Sequence, residues 1–243
     1  MSFNSAVESY KKNISTAFGF ALLLVFVLPL TWLSNSIVSS GTVLIDYGFL
    51  RMPIVDLVLM LVFSLAFLFF YSLLVCLMIF SVRKDLSHVK IKHFLNEKII
   101  LLATKYFRFL AVFTIIGAVI SSFLLEFGFP VFAINILIFV LSSSFLFLGQ
   151  TIVVDEESLR SSISSNWEFI MKHPRDFLFV IVLGVVGVII LLLIEFVLDY
   201  FFLVGSFFSL ILSLVLLVPF LEVFKTRIYM KRFDLIRSYH SAD

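Results

Sequence analysis

The sequence predicts an all-α integral membrane protein with six transmembrane helices, and three observations carry that reading. Of the 243 residues, 62% are hydrophobic and 14% are charged, where an average soluble domain carries roughly 25% charged residues. Six apolar stretches reach the ~20 residues that a helix needs to cross the hydrocarbon core. Lys and Arg gather in alternate connections between those stretches. A soluble globule cannot wet its exterior at a mean hydropathy of +1.17. A soluble enzyme, a nucleic-acid reader and a secreted disulfide scaffold are thereby excluded. The single cysteine, Cys76, lies within an apolar run and reads as an inert buried thiol.

The whole chain, residues 1–243, reads as a single membrane domain with spans at about 17–38, 53–82, 106–125, 130–154, 177–198 and 201–221. Pro29 falls inside the first span as a kink. Pro53, Pro130 and Pro174 stand at or just before span starts, where a missing N–H costs nothing. The second span is long enough to tilt or protrude. All but one of the 18 Lys and Arg fall on one side; Arg51 is the exception. That side reads as cytoplasmic, with both termini on it, at the cell membrane. Another reading makes the first span a signal peptide, with Lys11 and Lys12 as its basic region and Val38-Ser39-Ser40 as its cleavage site.

Amphipathic interfacial helices are expected before spans 1, 3 and 5. Phe3, Val7, Tyr10 and Ile14 share a face of the first, which opens in capping-box form at Ser5-Ala6-Val7-Glu8. Leu159, Ile163, Trp167 and Ile170 share a face of the last, with Asp155 as its cap and Pro174 as its stop. The middle segment, around residues 94–108, is less regular. Tyr10, Tyr106 and Trp167 then stand at equivalent entry points as interfacial aromatics, with Tyr229 also on the inner side and Trp32, Tyr47 and Tyr200 on the outer. A threefold helical-hairpin repeat is one account of this rhyme, and chance similarity in apolar sequence is the other.

Ionisable groups inside a span are functional suspects by default. Asp56 and Glu195 qualify. Glu126 and Asp199 stand at span ends, and Asp46 in the first outer loop. Asp56, Glu195, Glu126 and Asn135 form the candidate intramembrane polar site. Against it stands the simpler reading that Asp56 and Glu195 snorkel to the headgroups from one turn inside. Asn135, Ser142, Ser143, Ser144, Gln150 and Thr151 make the fourth span the most polar, as interhelical glue or as a polar path. Gly117 with Ser121, and Gly184 with Gly187, read as close helix contacts. His88, His93, His173 and His240 have no metal-binding spacing. No nucleophile motif, phosphate loop or zinc motif is present, so no catalytic residue, cofactor or metal is assigned.

Asp155-Glu156-Glu157-Ser158, then Ser161-Ser162, Trp167 and His173-Pro174 before a new span, resembles uncharacterised six-span membrane proteins. These are related to the membrane domain attached to some bacterial glycerophosphodiester phosphodiesterases. The resemblance implies a six-span fold and a stand-alone membrane module; the phosphodiesterase domain has no counterpart here. The expected function is a non-catalytic, multi-pass membrane module that organises lipid or partner proteins, its basic rim touching anionic lipids. The alternative is a small transporter or channel with a polar path along span 4 and outer-leaflet carboxylates. No nucleic-acid partner is expected.

Overall fold

One long helix, α4 (Ile54–Ser87), is the post against which most of the molecule is packed. The computed structural model describes residues 3–33, 36–45, 53–87, 95–202 and 204–231. Before α4 come α1 (Phe3–Lys12), α2 (Ile14–Gly19), a 3₁₀ turn (Phe20–Leu23), α3 (Leu24–Leu30) and a hairpin of β1 (Ser36–Ser39) and β2 (Thr42–Ile45). After it come α5 (Leu95–Glu126), α6 (Val131–Ser143), α7 (Leu148–Gln150), α8 (Leu159–Lys172), α9 (Pro174–Phe202), α10 (Gly205–Leu212) and α11 (Val218–Met230). Among the described residues, five helical segments are long and apolar enough to span a bilayer. They are Ile54–Leu86, Lys98–Glu126, Val131–Asp155, Pro174–Phe201 and Gly205–Met230. A sixth is reached if the pair Asn4–Lys12 and Ile14–Leu30, bent by 69°, is one span. The chain is a multi-pass membrane protein.

Packing is densest at the basic end. Val75, Met78, Ile79 and Val82 of α4 are fully buried there, against Phe20, Leu23, Leu102, Leu148, Ile152 and Val223. Most apolar side chains of α6 and α9 point outward, as lipid-facing surfaces require.

The structure corrects the first span. Its helix stops at Leu30, with Pro29 in the last turn, and Val38 lies in a strand instead. Ile37, Val38, Thr42 and Val43 extend the apolar run in composition, but β-branched residues suit a strand as well as a buried helix. Ser40 and Gly41, at φ 53° and 74°, supply the two positive dihedrals of a two-residue hairpin turn, and Ser39 faces Thr42 across it. A second correction concerns span 3. Among the described residues no separate helix precedes it; α5 runs unbroken from Leu95, because no Gly or Pro interrupts residues 95–116.

Spans 4 and 6 are irregular. After α6 the chain makes a turn at Ser144–Phe147, resumes in α7 and widens into a π-helical turn at Thr151–Asp155; span 6 has a π-helical turn at Ser213–Leu217. Such turns free backbone groups that lipid cannot satisfy, and α1 and α8 supply their partners. Asn166 of α8 accepts from Phe147 N at 3.1 Å and donates to Ser144 O at 2.8 Å. Tyr10 of α1 donates to Val215 O at 2.9 Å. The buried faces of these helices are therefore Ala6, Ser9 and Asn13, and Ser162, Asn166, Phe169 and Ile170. Trp167 and Ile14 face outward. The cap of α8 is Ser158, not Asp155. The chain turns left-handed at Glu156 (φ 58°), which leaves Asp155 in the preceding turn, accepting from Tyr229 OH at 2.5 Å.

Candidate functional site

The strongest concentration of polar groups inside the bundle lies where span 4 breaks against span 6. Ser142 and Ser144 donate to Phe139 O and Val140 O, at 3.0 and 2.9 Å, and such back-bonding loosens a helix. The turn that follows points Gln150 into the core. On α11, Glu222, Lys225 and Thr226 share one face at i, i+3 and i+4. Lys225 Nζ sits 2.6 Å from Glu222 Oε1, and both side chains are buried. Gln150 Nε2 donates to the other carboxylate oxygen at 3.0 Å, and Tyr71 OH reaches Oε1 at 3.4 Å. Lys225 also donates to Leu146 O at 3.3 Å, one of the carbonyls that the break releases. Gln150 Oε1 is fully buried and has no hydrogen-bond partner among the described residues.

This pair lies at the base of a cavity of about 490 Å³. Its walls are Phe139, Ser143 and Leu146 of span 4 and Val180, Gly184 and Ile189 of span 5, with Tyr71, Val218 and Leu221 between. The cavity exists because α6 and α9 form no extended interface. Phe139 and Ile189 are exposed on its rim, so it opens sideways, where acyl chains would lie.

The sequence-predicted site residues do not gather here. Glu195 accepts from Ser40 N at 2.6 Å and from Ser209 Oγ at 2.8 Å, and so clamps the hairpin tip to α10. Asp199 accepts from Gly205 N at 2.6 Å and closes the turn between α9 and α10. Asp56 is half-buried in the first turn of α4, which has no extended interface with α9. Glu126 ends α5 and Asn135 lies on α6, both exposed. Asp46, Tyr47, Arg51, His88, His93 and His240 lie outside the described residues. His173 packs its ring 4.9 Å from that of Phe169. Tyr106 is buried against Gly149, where a Cβ would stand 3.5 Å from its Cζ. Trp167 is exposed and edges onto Phe145, and Tyr229 is fully buried. Of the predicted glycine contacts, Gly187 is the tight one, its missing Cβ lying against Leu217; Gly117 and Gly184 have ordinary room.

Sequence reasoning missed Glu222 and Lys225 by assigning them to the C-terminal tail. The signal was present, because apolar residues resume at Val223 and Phe224 and again at Ile228, Tyr229 and Met230.

At the basic end, Glu156 is held by Arg83 at 3.0 Å and by Lys98. Partial burial alone would raise its pKa, but the hydrogen bonds and charges of Lys98 and Arg83 outweigh that and lower it from the usual 4.5. A lowered carboxylate pKa contributes stability that is complete above 4.5 and is lost as pH falls through the folded value. Thermal unfolding of the detergent-solubilised protein should therefore show a steeper acid loss in the parent than in Glu156→Gln; parallel profiles would deny Glu156 that role.

Among the described residues, no group of three or more His, Cys, Asp or Glu could hold a metal. No protein-family model matches this chain, and no curated protein and no solved structure is significantly similar to it.

Proposed function

We propose that this protein is a non-catalytic membrane module that holds the hydrocarbon of a bilayer lipid in the cleft between spans 4 and 5. The lateral opening of that cleft carries the reading: its walls are mostly apolar, with Ser143 and Tyr71 the polar residues beside the Glu222–Lys225 pair. Water gains little in such a space, whereas an acyl chain restores the packing that α6 and α9 lack. The basic end is read as cytoplasmic, in line with the positive-inside rule; labelling of a cysteine placed at Ser164 from outside sealed cells would reverse that orientation.

A second reading, transport, draws on the break in span 4 and the buried ion pair beside it, features shared with sites in discontinuous helices. Lipid holding is favoured because Ser142, Ser144 and Thr151 spend their hydroxyls on backbone carbonyls and so do not line a continuous polar path.

Gly184 offers a direct test. A Cβ there would meet only Leu221 Cδ1, at 3.8 Å, so a larger side chain enters the cleft without striking backbone. Gly184→Phe should fold, and should lose lipid that co-purifies with the parent in mild detergent. Undiminished lipid in a folded Gly184→Phe protein would remove the cleft as its seat.

A further inference from the structure

A second cavity, of about 380 Å³, lies between α2 and α4 at the basic end, away from the cleft. Its floor is Leu74, Leu77 and Phe80, and its mouth carries Ser15, Thr16, Ser81 and Lys84. The order of these residues along α4 is itself informative. The apolar residues come first and Lys84 comes last, one turn from the helix end at Ser87, so the groove grades from hydrocarbon-like to cationic along one direction.

The mouth is rich in unused donors. Several cations of the basic end are engaged: Arg83 and Lys98 with Glu156, Lys105 with Glu157 O, and Arg227 with Ser5 O and Ser9. Lys84, Ser15 and Thr16 have no side-chain hydrogen bond or ion pair among the described residues. No carboxylate lines the groove. Asp85, the next residue, accepts from Asn13 Nδ2 at 2.9 Å, and Ser81 donates to Asn13 Oδ1. Those two bonds tie the kink between α1 and α2 to α4, and so hold the walls of the groove while drawing Asp85 toward Asn13.

We propose that this groove binds an anionic phospholipid. Lys84, Ser15 and Thr16 donate to the phosphate, and the proximal acyl chain lies on Leu74, Leu77 and Phe80. An ammonium and two hydroxyls provide charge-assisted hydrogen bonds to phosphate oxygens, and a polybasic cytoplasmic rim raises the local concentration of such lipids. The site does not depend on the cleft between spans 4 and 5.

The test is native mass spectrometry of the full chain in mild detergent, titrated with phosphatidylglycerol, with phosphatidylcholine of the same chains, and with inorganic phosphate. The parent should prefer phosphatidylglycerol. Lys84→Gln, an exposed substitution that should leave unfolding in lipid-free detergent unchanged, should weaken it about tenfold, the equivalent of one charge-assisted hydrogen bond. Ser15→Ala with Thr16→Ala should weaken it in the same direction. Lys172→Gln, whose lysine pairs with Glu168 on α8, should change nothing, nor should Gly184→Phe. Equal retention of phosphatidylglycerol by the parent and Lys84→Gln would overturn the site. Displacement of the lipid by millimolar inorganic phosphate would overturn the role of the acyl chain and leave a free-anion site.

Discussion

Lys225→Met should destabilise the folded protein by about 3–5 kcal/mol, the usual cost of leaving one member of a buried pair without its partner. Glu222 would keep its bonds from Gln150 and Tyr71, but its charge would have no counter-ion, and Leu146 O would lose a donor. The double variant Glu222→Gln with Lys225→Met contains no lone charge and should recover most of the loss. Chemical unfolding in a fixed detergent measures both. Equal stability of the single variant and the parent would mean that Lys225 is hydrated in the folded state and that the pair is no part of the core.

Gly41→Ala should cost about 2–5 kcal/mol, from a left-handed backbone penalty of about 1–2 kcal/mol and overpacking of about 1–3 kcal/mol. Gly41 has φ +74°, and a Cβ would stand 2.6 Å from Ser213 Cβ and 2.8 Å from Ser209 O. Gly41 N also donates to Ser209 Oγ at 3.1 Å, so the hairpin tip is seated on α10 as well as turned. Gly128 separates the two effects. It has φ +79° but nothing within 4 Å of a Cβ, so Gly128→Ala should pay the backbone penalty alone. Hydrogen exchange gives a local reading: the amides of Ser40 and Gly41 should lose protection in Gly41→Ala. Equal losses for the two alanine variants would show that the hairpin tip is not packed.

Spans 2 to 6 are legible in the sequence because hydropathy over twenty residues is a property of composition, and the bilayer enforces it. The legibility fails where a local choice overrides composition. Residues 36–38 are as apolar as a span end, yet Ser40-Gly41 folds them back into a hairpin, and only the Ser-Gly dipeptide hinted at a turn. Glu222 and Lys225 fail differently. A charge after an apolar run reads as the membrane boundary, but two opposite charges three residues apart can be buried together. Only the break in span 4, which brings Gln150 and Leu146 O to them, shows where they sit. Glu195 was visible as an intramembrane carboxylate. Its bond to the backbone of Ser40, 155 residues away, was not.

The seating of α1 on the last span has a consequence for how the protein is made. Tyr10 and Val215 are 205 residues apart, and Arg227 reaches back 222 residues to Ser5. A chain threaded into the bilayer from its N-terminal side exposes α1 well before it completes the docking site on α11. The carbonyl of Val215 and the guanidinium of Arg227 gain these partners only once the span from Gly205 to Met230 has been made. Docking of α1 therefore waits for the span that carries Val215 and Arg227, and a ribosome that stops before residue 215 leaves α1 without these partners.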